Sequence, residues 1–287
     1  MELATDAATL PSVEAALEAA GALSVSLADP GGESVLEPAP GETPLWSSVI
    51  VTALFEAAIE PGELRSRIAR VAGVDAGAIR AEILPPRDWV REFREALVPM
   101  RYGERLWICP DGVPCPDPRG IVISLEPGLA FGSGSHATTA LCLGWLSALE
   151  LSGRSVLDWG CGSGVLAIAA LALGAERATA LDIDRQALLA TRENAERNRR
   201  AAGLIVSHPD ELAAGAGHDV LVANILANTL IGLAPRLRVN CRSGAPVALS
   251  GILVAQAPRV RDACAPWFEL EVAAEQDGWA LLAGHAT

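Results

Sequence analysis

Residues 156–164 read Val-Leu-Asp-Trp-Gly-Cys-Gly-Ser-Gly: an apolar run, an acid (Asp158), then glycines at alternate positions, Gly160, Gly162 and Gly164. Glycine removes the side chain where a ligand must lie against backbone. The apolar stretch Val165–Leu173 that follows predicts a helix whose first N–H groups face that ligand. A second acid, Asp182, ends the next apolar run, Ala178–Leu181, 22 residues beyond Gly160. Strand, glycine turn, helix, strand and acid make the nucleotide-binding half of a doubly wound fold, with the acid placed to accept from ribose hydroxyls. Each acid alone could be a solvated strand-end carboxylate; their joint spacing points to a ligand.

The spacing also bears on which nucleotide. A dinucleotide fingerprint has its third glycine at position six, and that position, counted from Gly160, is Val165. Alternating glycines with an acid two residues ahead resemble the first motif of class I S-adenosylmethionine (SAM) methyltransferases. That likeness implies SAM as cofactor, with Asp158 near its ammonium, directly or through water. Asn224 follows the apolar run Val220–Ala223, at the carboxyl end of an expected strand, where ligands of open α/β sheets bind. Its amide could accept from an incoming amine, or it could cap a helix.

The elements that must hold these residues alternate regularly after Arg154. Strands are expected at 155–159, 178–182, 204–207, 219–224, 246–250, 268–273 and 279–283, with helices between them up to the fifth. The turn Gln276–Gly278 is too short for a crossover helix, so the last two strands must be antiparallel. The expected fold is a class I methyltransferase Rossmann-like α/β sheet, mostly parallel, with an antiparallel C-terminal hairpin. Leu106–Cys109 and Ile121–Leu125 read as short strands ahead of it, and 140–149 as a helix.

Residues 1–84 read as a separate small α+β domain. Val13, Ala16, Leu17 and Ala20 share a helical face that Gly21 ends; Leu23, Val25 and Leu27 alternate as in a half-buried strand. A strand at 49–55, a helix near 63–71, a strand at 78–84 and a weak first strand within 2–9 complete a ferredoxin-like β-α-β-β-α-β order. Trp89, Phe93 and Leu97 recur every fourth residue, predicting a linker helix over 85–100 before a catalytic domain at 101–287.

Composition narrows the class. All 22 basic residues are arginine, against 35 acids, and the net charge of −13 disfavours direct nucleic-acid binding; it suits a basic partner, although charge alone is explained more simply as keeping the chain in solution. The six cysteines show no C-x-x-C and no metal-ligand spacing, so no metal site is expected and the thiols read as reduced. The acidic start Met-Glu-Leu-Ala-Thr-Asp does not resemble a signal peptide, and no apolar run approaches the roughly 20 residues of a membrane span. A cytoplasmic monomer with no membrane contact is the expectation.

Beyond the glycine motif, Gly128-Leu-Ala-Phe-Gly-Ser-Gly-Ser-His-Ala-Thr-Thr139, Asn224-Ile-Leu-Ala-Asn-Thr-Leu230 and Leu249-Ser-Gly-Ile-Leu253 closely resemble the bacterial methyltransferases of large-subunit ribosomal protein eleven. The likeness spans nearly the whole chain, with Gly21–Leu27 and Pro44–Trp46 resembling that family's N-terminal recognition domain. It implies SAM-dependent methylation of the α-amine and lysine ε-amines of that basic ribosomal protein. It also implies SAM contacts at Thr139, Gly160, Asp182 and Asn224, with Asn224 at the reacting amine. Ser133 and Ser135 stand where the family usually has Thr, and Ala137 and Thr229 where it usually has Pro.

The residues by themselves leave rivals. These are a class I methyltransferase for another protein or a small-molecule amine, a non-catalytic SAM- or ribosome-binding module, and an NAD oxidoreductase that Val165 disfavours. His136 could take a proton from the amine, though a hydrogen-bonding role in its loop is the plainer reading. Phe131 could cover the cofactor or fill core. His208 and Asp210 follow the third strand, where class I enzymes often meet adenine, but loop chemistry alone explains them equally well. His218 and His285 read as surface residues.

Overall fold

The computed structural model describes residues 1–32, 44–85, 98–125, 136–213 and 215–287. The chain divides into two compact units, Met1–Asp88 and Trp89–Thr287. The expected linker helix, with Trp89, Phe93 and Leu97, lies outside the described residues, and Met100, its last expected residue, instead opens a strand.

In the first unit, β1 (Glu2–Asp6), α1 (Leu10–Ala19), β2 (Ser24–Ala28), β3 (Ser48–Leu54) and α2 (Pro61–Ala72) follow one another, and the strands form an antiparallel sheet in the order β1-β3-β2. Val13, Leu17, Val49, Val51 and Ile68 fill its core. The strand expected at 78–84 is reduced to one antiparallel bridge, Arg80 to Glu2. The cause is local: Asp75 Oδ1 accepts from Gly77 N–H at 3.0 Å and folds Ala76–Ala78 into a 3₁₀ turn, which uses up the start of that strand. The order Arg80-β1-β3-β2 remains that of a ferredoxin-like unit.

The second unit begins with a small sheet, β4 (Met100–Tyr102), β5 (Leu106–Pro110) and β6 (Ile121–Leu125). Helix α3 (Ala137–Ser147) follows, starting earlier than its apolar run suggests because His136 caps it: Thr138 N–H donates to His136 Nδ1 at 3.3 Å. Then come β7 (Ser155–Trp159), α4 (Val165–Ala172), β8 (Arg177–Leu181), α5 (Arg185–Arg197), β9 (Leu204–Ser207), β10 (Val220–Asn224), α6 (Ala227–Val239), β11 (Pro246–Leu253), α7 (Ala257–Cys264), β12 (Phe268–Gln276) and β13 (Trp279–Ala286). These seven strands pair in the order β12-β13-β11-β10-β7-β8-β9. Strands β7 to β11 are mutually parallel, and β13 runs antiparallel between β11 and β12, as the short Gln276–Gly278 turn requires.

Strand side chains alternate between two apolar layers, the period of a sheet covered on both faces. Val156, Val220, Val222 and Ala248 pack with Leu143, Leu146, Ala167 and Ile168 of α3 and α4. Leu157, Leu221, Val247 and Leu249 pack with Leu230, Leu237 and Val260 of α6 and α7. Leu143 and Leu146 are fully buried, so truncating either to alanine should cost about 2–5 kcal/mol. What this packing holds in place is the switch point between β7 and β10, where the strand order reverses, the position at which open α/β sheets bind ligands beyond the carboxyl ends of their strands.

Candidate active site

Strand β7 delivers Asp158 to this switch point fully buried. Its Oδ2 accepts from Ala167 N–H at 3.0 Å, in the first turn of α4, whereas Oδ1 is buried with no partner among the described residues. Burial pushes this carboxyl up to about 7; the Ala167 bond opposes that and the neighbouring Asp182 charge adds to it. An acid in this condition favours a cationic ligand at Oδ1.

Between β7 and α4 the chain turns through Gly160, Gly162 and Gly164, all with positive φ. Two of the three are also excluded as other residues by close neighbours. A Cβ on Gly160 would lie 2.2 Å from Ile225 Cγ2, and one on Gly164 would lie 2.6 Å from Thr191 Cγ2. Asp182, at the end of β8, ties this turn down: Oδ2 accepts from Gly162 N–H and Oδ1 from Asp184 N–H, each at 2.9 Å. A carboxylate has about four lone-pair sites, so Asp182 retains acceptor capacity for ribose hydroxyls.

Asn224 ends β10 half-buried, and its Nδ2 donates to Thr139 Oγ1 over a long 3.4 Å. It does not cap the next helix; Leu226 stands at that position. Thr139 is buried in the first turn of α3, which His136 caps. The following residue, Ile225, connects the two halves of the site. Its side chain abuts Gly160, and its N–H donates to Ser250 O at 3.1 Å. This approach needs Gly251, at an irregularity in β11 with φ +82°, because a Cβ there would lie 2.4 Å from Ile225 O.

Asp158, Gly160, Gly162, Gly164 and Asp182 therefore form one cluster, Thr139 and Asn224 another, and Ile225 bridges them. His136 meets Trp279 edge-on at a ring separation of 5.0 Å and shares its Nδ1 with Thr138 Oγ1 at 2.8 Å. Phe131, Ser133 and Ser135 lie outside the described residues. Arg236 braces the loop after β9, donating to Pro209 O at 2.6 Å and Asp210 Oδ1 at 3.0 Å while lying 5.4 Å over the Trp159 ring. Burial pushes the two thiols nearest Asp158, Cys142 and Cys161, far above the ordinary thiol range, so neither supplies a thiolate near neutral pH.

Two findings depart from the sequence reading. His218 is buried rather than at the surface, with Nδ1 at 3.0 Å from Asn240 O and Nε2 at 3.0 Å from Thr179 Oγ1. Helix α5 adds two site residues that no local signal marked strongly: its buried face carries Thr191 and Asn194. Thr191 Oγ1 donates to Gly162 O and Asn194 Nδ2 to Ser163 O, each at 2.9 Å. The available signal was two polar residues at helical spacing within the stripe Ala187, Leu188, Thr191, Asn194, Ala195.

Strand order, glycine turn and the acid after β8 define a class I SAM-dependent methyltransferase. The residues present fit that cofactor: the buried Asp158 Oδ1, without a partner among the described residues, suits an ammonium, and the turn has no room for side chains at Gly160 and Gly164. The chain belongs to the ribosomal protein L11 methyltransferase family, whose model matches residues 1–287. It is 46% identical over 284 residues to the ribosomal protein L11 methyltransferase of Hahella chejuensis, covering 99% of this chain and 97% of that one. The Alkalilimnicola ehrlichii protein of the same name is 48% identical over 277 residues, 96% and 94% of the two chains. A crystal structure of the ribosomal protein L11 methylase from Lactobacillus delbrueckii subsp. bulgaricus aligns with a TM-score of 0.56 at 30% identity, over 66% of this chain and 98% of that one. No helix among the described residues is long and apolar enough to cross a membrane.

Proposed function

We infer that this enzyme transfers methyl groups from SAM to nitrogen atoms of ribosomal protein L11, at its α-amine and lysine ε-amines. The observation that carries the reading is a glycine turn tied down by Asp182 and facing Asn224 across Ile225, in a chain of this family throughout its length. When bound, SAM supplies an electrophilic methyl on a sulfonium. The protein's part is to bind and align, because in-line attack needs a neutral amine about 3 Å from that carbon.

Asp182 accepts from the ribose hydroxyls, the turn Gly160–Gly164 admits the methionine part against backbone, and Asp158 Oδ1 receives its ammonium. Thr139 sets the Asn224 amide, so that the Asn224 oxygen accepts from the incoming amine and points its lone pair at the methyl. A lysine starts near a pKa of about 10.4 and an α-amine near 8, and desolvation on entering the crevice lowers both. His136 serves as the helix cap of α3 rather than as the base. The N-terminal unit recognises the substrate, which the acidic chain attracts electrostatically as a cytoplasmic monomer without help from nucleic acid. Incubation with methyl-labelled SAM and unmodified L11, followed by peptide mapping, tests this reading. Label on L11 amines is expected; label absent from them, or on another class of acceptor, would reject it.

A further inference from the structure

The cradle itself is held from behind. Thr191 is fully buried on α5, and its hydroxyl donates to Gly162 O at 2.9 Å with Cys161 Sγ 3.3 Å away. One turn on, Asn194 is buried and donates to Ser163 O at 2.9 Å, its own Oδ1 held by Arg197 Nη1 at 2.7 Å. Trans peptides are planar, so holding a carbonyl fixes the N–H on the far side of the same unit. Thr191 and Asn194 thus fix the planes of the 162–163 and 163–164 peptides.

Glycine makes this brace necessary. Gly160, Gly162 and Gly164 all sit at positive φ with no side chains to restrict them, and glycine has the largest conformational freedom to lose. Asp182 holds the Gly162 N–H from one side, and Thr191 holds the carbonyl of the same residue from the other. The Thr191 side chain, its methyl nearest, occupies the space that a Cβ on Gly164 would need, and only its hydroxyl bonds Gly162 O, so the methyl packs the turn without orienting it.

We propose that Thr191 and Asn194 are positioning residues for the cofactor, pre-ordering the glycine turn so that SAM meets its backbone already in the binding conformation. This rests on the assignment of the turn as the SAM site. Binding then costs less conformational entropy than it would on a loose turn.

Thr191→Val keeps the packing shape and loses the hydroxyl; Thr191→Ser keeps the hydroxyl and loses the methyl. Each removes one buried interaction, so thermal unfolding should show comparable stability losses. S-adenosylhomocysteine affinity by calorimetry should separate them: about tenfold weaker for Thr191→Val, and within about threefold of the parent for Thr191→Ser. Asn194→Ala should behave as Thr191→Val does and serves as the test should that variant fail to fold. In turnover, the loss should appear in KM for SAM, with kcat at saturation and KM for L11 unchanged. Affinity that follows melting temperature in both Thr191 variants, or Thr191→Val binding as tightly as the parent, would overturn the proposal alone. A parent protein that does not bind S-adenosylhomocysteine would sink the cofactor assignment and this proposal with it.

Discussion

Replacing Asp158 by asparagine gives a quantitative test of the buried acid. In the ligand-free protein its carboxyl is held near 7, against 3.8 ordinarily, chiefly by burial. The unfolded chain releases that proton near the ordinary value, whereas the native state keeps it until about 7. Between those values the native state binds more protons than the unfolded state, so Asp158's contribution to stability falls as pH rises and levels off above about 7. The measurable window starts somewhat above the pI of about 4.8, where the protein carries net charge. From about pH 5.5 to 7 the loss is about 2 kcal/mol, at about 1.4 kcal/mol for each tenfold change in proton activity. Asparagine has no such proton. Urea unfolding of parent and Asp158→Asn across this range should therefore show the variant gaining about 2 kcal/mol relative to the parent by about pH 8. Taking the difference between the two proteins removes the other carboxylates from the comparison. Parallel stability curves for the two proteins would mean that Asp158 is already ionised in the native state across this range. An ammonium ligand reverses the preference, so S-adenosylhomocysteine affinity should rise with pH through about 7 in the parent and stay flatter in the variant.

Asp182→Ala should weaken S-adenosylhomocysteine binding by at least about tenfold, since it removes both the proposed ribose acceptor and the tie to Gly162 N–H; unchanged calorimetric affinity would remove Asp182 from the site. Asn224→Ala should lower kcat by about 10²-fold with a much smaller change in KM for SAM, and equal losses in both would mean that Asn224 binds cofactor rather than aligns the amine. His218 is held below the ordinary histidine range, mainly by burial. Its contribution to stability is therefore complete above about 6.5 and is lost as pH falls below that value. NMR titration should place its midpoint below 6.5, and a midpoint at or above that would contradict its buried setting. Deleting residues 1–84 should raise KM for L11 while leaving S-adenosylhomocysteine affinity unchanged; unaltered KM for L11 would separate the N-terminal unit from substrate recognition.

What the sequence made legible follows from which signals are local. Apolar runs leading to Asp158, Asp182 and Asn224 located the carboxyl ends of three strands, because strands buried on both faces are mostly apolar along their length. The antiparallel β12–β13 pair followed from a turn too short to cross over. The start of α3 was misplaced because histidine is an uncommon cap. His218 and Thr179 lie 39 positions apart, and their contact exists only once strands pair. The same holds for Asn224 and Thr139, 85 positions apart, whose association came from family resemblance rather than from spacing. Thr191 and Asn194 were missed because polar residues in a helix ordinarily mark its solvent side. At Arg80 the opposite error arose: apolar neighbours suggested a strand where the sheet offers one bridge.

The proposed chemistry requires SAM to lie across the glycine turn with its ribose at Asp182 and its sulfur end toward Asn224. A crystal structure of the protein soaked in S-adenosylhomocysteine tests it directly. Both ribose hydroxyls should lie on the Asp182 carboxylate, with the amino group at Asp158 Oδ1 and backbone contact along Gly160–Gly164. Density for the ligand at any other place, or none at this crevice under saturating ligand, would contradict it.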